Sequence, residues 1–219
     1  MNSLDLIRCG LISSGVVAVI RTESPEPILE IARALVRGNV RALEVTLTVP
    51  GAVEVILELR REWGDQAFVG AGTVLDGKGC REVIEAGAQF LVSPIARTSL
   101  APIAKEAGRV LMLGAYTPTE AQAVHESGAD FVKVFPCDGL GTAYIRSLLA
   151  PLPHLRIVPT GGVDLKTAPE YIRAGCAAVG AGSSLIPKEM VRDRRWEELT
   201  AHAAAFSQAV AEARPGRGA

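Results

Sequence analysis

The chain has 219 residues, is 48% hydrophobic but only 5% aromatic, and carries a formal net charge of −1. That length suits one sizeable domain with an aliphatic core. The near-neutral charge argues against a nucleic-acid binder, because no cationic excess is there to neutralise phosphates, and no apolar run reaches the roughly 18 residues that a membrane span needs. Four cysteines, Cys9, Cys80, Cys137 and Cys176, lie far apart without a CxxC pair. They read as reduced thiols of a cytoplasmic protein.

Residues 4–13 read as a helix ahead of the first strand. The apolar stretch 11–20 resembles a signal core, but Asp5 precedes it, Arg21 ends it and no small-residue cleavage pattern follows. Strands and helices then alternate. The strands fall at 16–21, 42–47, 67–74, 90–94, 109–115, 131–136, 156–162 and 177–183. The helices fall at 25–37, 52–63, 78–86, 99–107, 119–127, 142–149 and 167–174, with a last one from about 194 to 213. The tail 214–219, rich in Gly and Arg, is expected to fray. Gly38, Gly87, Gly108, Gly128 and Gly175 each follow a helical run, as C-cap glycines do. Thr117-Pro118-Thr119-Glu120 places a proline and a glutamate at a helix start, where both are favoured.

Eight strand–helix units form either a closed (β/α)8 barrel or an open doubly wound sheet. The first strand–helix turn, Arg21-Thr22-Glu23-Ser24-Pro25, has no glycine fingerprint for a dinucleotide. The count and regular spacing favour an α/β barrel of one domain over 1–219, with an extra N-terminal helix and a length at the short end for that fold.

One residue breaks the apolar pattern. Lys133 sits in Phe131-Val132-Lys133-Val134-Phe135, closed by Pro136. Burial disfavours the charged form of an amine, and a neutral amine attacks ketones, so Lys133 is a candidate Schiff-base lysine. Alternation along the strands puts Phe131, Lys133 and Phe135 on one face, Glu44 and Thr46 on the inner face of strand two, and Val17, Val19 and Arg21 together on strand one. A Glu, an Arg and a Lys therefore converge on one lumen. Either they form a structural ion-pair network, or Lys133 attacks a carbonyl, Glu44 shuttles protons and Arg21 holds a substrate carboxylate.

Two glycine-rich stretches close strands seven and eight: Pro159-Thr160-Gly161-Gly162-Val163 and Gly180-Ala181-Gly182-Ser183-Ser184. In a barrel these positions commonly form a phosphate site. Glycines let backbone amides approach the anion, and Ser183 or Ser184 adds a hydroxyl. Strand three ends Val69-Gly70-Ala71-Gly72-Thr73-Val74, where the two glycines would leave lumen space and present Thr73 to a ligand. His125, His154 and His202 fall in helices or loops without metal-ligand spacing and read as surface residues. Asp76 and Asp138 lie in strand–helix loops and either touch substrate or, as the simpler reading, are solvated loop residues; Cys137 reads as packing.

Together these phrases resemble the 2-keto-3-deoxy-6-phosphogluconate (KDPG) and 4-hydroxy-2-oxoglutarate aldolase family. Further matching phrases are Glu44-Val45-Thr46-Leu47-Thr48-Val49-Pro50, Val92-Ser93-Pro94 and Thr117-Pro118-Thr119-Glu120, in family order over most of the chain. The resemblance implies a class I aldolase on a (β/α)8 barrel, needing no metal or organic cofactor and assembled as a homotrimer. It maps Lys133 onto the Schiff-base lysine and Glu44 onto the proton-moving glutamate. Thr73, Pro94 and Thr160 map onto the pyruvyl half of the site, and Gly161, Gly162, Gly182 and Ser183 onto the phosphate end. Some members carry arginine where this chain has Thr48, and Arg21 is the substitute for carboxylate binding. Many have proline where this chain has Leu113. The C4 stereochemistry stays open between gluconate-type and galactonate-type substrates. Two other functions stay open as well, a phosphosugar isomerase or epimerase and a non-catalytic sugar-phosphate sensor, neither of which would form an imine with pyruvate.

Overall fold

A computed structural model describes residues 3–214. From Pro215 onward, the tail expected to fray lies outside the described residues. The strands are β1 (Val16–Ile20), β2 (Ala42–Thr46), β3 (Phe68–Gly72), β4 (Phe90–Val92), β5 (Val110–Ala115), β6 (Phe131–Val134), β7 (Ile157–Pro159) and β8 (Val179–Ala181). All pair in parallel, in the order 7-6-5-4-3-2-1-8. A single bridge, Thr160 to Gly180, joins the two ends. The result is a (β/α)8 barrel whose last seam is held by that bridge and a hydrogen bond from Ala177 N–H to Ile157 O at 2.9 Å, in place of a regular ladder.

Around it run α1 (Ser3–Ser14), α2 (Ile28–Arg37), α3 (Ala52–Trp63), α4 (Gly77–Glu85), α5 (Ala101–Glu106), α6 (Pro118–Glu126), α7 (Gly141–Leu149), α8 (Thr167–Arg173), α9 (Lys188–Arg192) and α10 (Trp196–Glu212). Seven of the eight strands end before the expected span does, because residues past the last ladder bond enter the loops above the barrel; β5 instead loses only Arg109 at its start. The helix expected at 99–107 opens as a 3₁₀ turn, Thr98–Leu100, and continues as α5, whereas α9 has no counterpart among the expected elements. With five residues and none of them buried, α9 leaves no apolar period.

Four of the five expected cap glycines, Gly87, Gly108, Gly128 and Gly175, have positive φ. Gly38 does not; its φ is −80° and Asn39 takes the left-handed position at 62°. Gly38 serves packing instead. A Cβ there would lie 2.6 Å from the Ala203 Cβ and 2.7 Å from the Thr200 carbonyl, so α2 and α10 approach backbone to side chain. At α6 the expected start is a full capping box: the Thr117 hydroxyl accepts from Glu120 N–H, and the Glu120 carboxylate accepts from Thr117 N–H. Hydrogen bonds to this carboxylate from Tyr116 N–H, then Thr117 N–H and the Thr117 hydroxyl, pull the Glu120 carboxyl below its ordinary range.

Strand alternation sorts the apolar residues into two cores. Leu43, Val45 and their outward-facing equivalents pack under the helices. Inward-facing Val17, Phe90, Met112 and Phe131 fill the lower lumen, and Ile7 and Leu11 of α1 plug it from below. Arg8 fastens this plug. Its guanidinium donates to Asp130 Oδ1 at 2.8 Å through Nε, while Asp130 Oδ2 accepts from Leu111 N–H at 2.9 Å. Arg8→Ala should therefore cost about 1.5–3 kcal/mol, the range for hydrogen bonds to charged groups. Urea unfolding would measure this; an unchanged midpoint would show that the apolar plug holds without the clamp.

Candidate active site

Directly above the apolar plug the lumen changes character. Lys133 on β6 is 5% exposed and Glu44 on β2 is 2% exposed. Flanking Val132 and Val134 face the helices, so the pleat turns Lys133 inward. Its Nζ lies 3.6 Å from Glu44 Oε1. That separation is an ion-pair distance but exceeds hydrogen-bond range. Glu44 Oε1 has no hydrogen-bond partner among the described residues. A buried carboxylate oxygen without a donor is costly, and here it is directed at the amine. The amine also sits 5.4 Å from the centre of the Phe135 ring, within cation–π reach.

The glycines of β3 prove to be occupied space. A Cβ on Gly72 would collide with the Glu44 carboxylate, and one on Gly70 would lie 2.5 Å from the Phe90 ring. The open lumen expected there is filled by these two side chains. Thr73, next in the chain, holds φ at 59°, a strained value for a β-branched residue. It is half-buried, as is Pro94 after β4. Thr46 is buried and spends its hydroxyl on Ile20 O and Thr48 Oγ1.

Beside the Lys–Glu pair, a cleft of about 510 Å³ opens over the ends of β7, β8 and β1. Its walls bring together Arg21, Thr160, Gly161, Gly162, Gly182, Ser183 and Ser184. Phe135 connects it to the buried pair. Gly161 and Gly162 have φ of 93° and 68°, which side-chain-bearing residues rarely adopt. The amides of Gly161, Gly162, Val163, Ser183 and Ser184 make no hydrogen bond among the described residues. Free amides grouped in two adjoining loops are suited to an anion.

Three placements differ from the sequence reading. Arg21 does not enter the lumen. The β1 ladder ends at Ile20, and Arg21 lies exposed at the cleft rim, with no ion pair or hydrogen bond among the described residues. Only Glu44 and Lys133 share the buried floor. Ser184 donates its one hydroxyl proton to Val163 O, so that proton is not available to an anion. His202 is half-buried, with Nε2 2.8 Å from Ser184 O.

One further cleft residue, Lys188, has no place in the site expected from the sequence. Lys188 lines the cleft from the first turn of α9, and the shortness of that helix hid it. Asp138 is exposed, as a loop residue is expected to be, and also lines the cleft, its Oδ2 2.9 Å from where a Gly161 Cβ would be. Asp164 also lines the cleft, but its carboxylate caps α8. It accepts from Thr167 N–H at 2.7 Å and Lys166 N–H at 2.9 Å, which holds its carboxyl below the ordinary range. Cys137 is buried, and burial raises its thiol's pKa.

A second cleft, about 410 Å³, lies beside Arg41, Phe68 and Ser207 at the N-terminal end of the barrel. In this architecture chemistry belongs to the opposite, C-terminal face. Among the described residues, no group of three or more His, Cys, Asp or Glu could hold a metal ion.

The KDPG and KHG aldolase family model matches residues 7–202. A 2-dehydro-3-deoxy-phosphogluconate aldolase of Treponema pallidum is 34% identical over 187 residues, covering 85% of this chain and 89% of that protein. A structure described as native KDPGal superposes with a TM-score of 0.84 at 32% identity, covering 90% of this chain and 95% of that one. The KDPG aldolase of Legionella pneumophila, captured with pyruvate as a covalent carbinolamine, superposes with a TM-score of 0.83 at 28% identity, over 94% and 98%. With that match spanning nearly the whole barrel, the chain belongs to the KDPG and KHG aldolase family.

Proposed function

We propose that this chain is a class I aldolase that reversibly cleaves KDPG to pyruvate and glyceraldehyde 3-phosphate, and 4-hydroxy-2-oxoglutarate to pyruvate and glyoxylate. The observation that carries this reading is the buried Lys133 amine 3.6 Å from a Glu44 oxygen that has no other partner. The Lys133 nitrogen adds to the C2 ketone, giving a carbinolamine, and loss of water gives an iminium ion. Glu44, acting through a water molecule, takes the proton of the C4 hydroxyl. The C3–C4 bonding pair flows into the iminium, the aldehyde leaves, and an enamine remains. Protonation at C3 and hydrolysis release pyruvate and the free amine. The lysine supplies the electron sink, so the reaction requires no metal or organic cofactor.

Arg21 binds the substrate carboxylate, since its guanidinium is unpaired at the cleft rim. Thr73, Pro94 and Thr160 line the pyruvyl half. The free amides around Gly161, Gly162, Gly182 and Ser183 hold the phosphate, with Lys188 adding a cation. A galactonate-type substrate is the second reading, favoured by the superposition on a KDPGal structure. The chain acts as one barrel domain in the cytoplasm, in keeping with its four free thiols. The homotrimer implied by family resemblance predicts a particle of three times the 23.0 kDa chain mass by light scattering; a monomer would remove it.

Assayed for pyruvate release from KDPG, Lys133→Ala should fall to background, and Glu44→Gln should lose about 10²–10⁴-fold in kcat, the usual share of general acid–base catalysis. Substantial turnover by folded Lys133→Ala would end the imine mechanism. Arg21→Ala should raise KM for pyruvate in the condensation direction by about tenfold to a hundredfold, the loss of a charged hydrogen bond. An unchanged KM would move the carboxylate site elsewhere.

A further inference from the structure

The seam between β7 and β8 is the weakest join in the barrel, and it is where the two glycine loops meet. One bridge, Thr160 to Gly180, and a hydrogen bond lower down from Ala177 N–H to Ile157 O close it, whereas β2 and β3 share five paired positions. Above that bridge the loops are joined by side chains. The Ser184 hydroxyl, after β8, donates to Val163 O, after β7. The Ser184 carbonyl accepts from His202 Nε2 at 2.8 Å. A carbonyl only accepts, so the ring carries a proton on Nε2. His202 is anchored in turn, its ring edge-on to Phe206 at 5.3 Å, and Phe206 is 1% exposed in the core.

Two links therefore run from α10 through one loop to the other, and the Phe206 ring anchors the first within α10. Their end-points are the loops whose amides are free. Neither the His202 nor the Ser184 bond reaches Lys133 or Glu44. Donors in a binding site act at full strength only when they are already aimed. Gly161 and Gly162 give their loop little stiffness of its own, so its aim has to be imposed from outside.

We propose that His202 is a positioning residue for the anion-binding loops. Through Ser184 it holds the Ser183 and Ser184 amides in register with those of Gly161 and Gly162, and so selects substrates with a phosphorylated far end. This inference rests on the aldolase reading, because it takes that cradle to be the phosphate site.

The test is steady-state condensation of pyruvate with glyceraldehyde 3-phosphate or with unphosphorylated glyceraldehyde. His202→Ala should raise KM for the phosphorylated aldehyde about tenfold, as expected for losing one hydrogen bond to the loop. Its kcat, its use of the unphosphorylated aldehyde and its borohydride trapping of pyruvate should stay within about twofold of wild type. His202→Gln, which keeps an N–H donor, should restore most of the loss. Ser184→Ala should raise the same KM, and the double variant should be no worse than the poorer single one, because both belong to one chain of contacts. Ser184→Ala carries the test alone if His202→Ala does not fold.

The proposal is overturned if either variant weakens both aldehydes equally, if the phosphorylated KM does not move, or if His202→Gln behaves like His202→Ala. Failure of the aldolase reading looks different: wild-type protein would then take no pyruvate onto Lys133 at all.

Discussion

A lysine and a glutamate buried face to face above an apolar barrel floor are the constraint on which this structure turns. Removing two charges from water costs several kcal/mol per ion, and a well-packed apolar pair of similar volume is often at least as stable. The pair here is also imperfect, since its 3.6 Å separation leaves Glu44 Oε1 without a hydrogen bond. A core selected for stability alone would not keep it. An amine that must attack a ketone, beside a base that must move protons, needs this arrangement.

Much of the barrel's sequence follows from accommodating that pair. Gly72 has no side chain because the Glu44 carboxylate occupies its place. Phe135 presents its ring to the amine and leads to the cleft. Below, Phe90, Met112 and Phe131 with the α1 plug close the lumen, so the charged layer opens only towards the C-terminal face. Above, the β7–β8 seam exchanges ladder bonds for loops with free amides, and side chains from Ser184 and α10 hold those loops together. The barrel is thus tightly packed where it supports chemistry from below and locally strapped where a ligand enters.

The fold and the buried pair were legible because both obey short-range rules. Period-2 alternation puts Lys133 and Glu44 inward, and eight alternating strand–helix stretches, five of their helices followed by glycine, mark the units of the barrel. Arg21 shares the inward phase of β1, but phase means little one residue past the last ladder bond, and Arg21 ends at the rim. Lys188 escaped notice because a helix of five residues with none buried has no periodic signature. His202 and Ser184 are 18 residues apart, and only the packing of α10 against the barrel brings them together. Gly72 could be read as a space but not as the space for Glu44, which depends on strand register.

The most direct measurement is borohydride reduction of the protein with saturating pyruvate, followed by intact mass and peptide mapping. The account predicts one stable pyruvyl adduct, on Lys133. No adduct on folded protein, or an adduct on a different lysine, would contradict it.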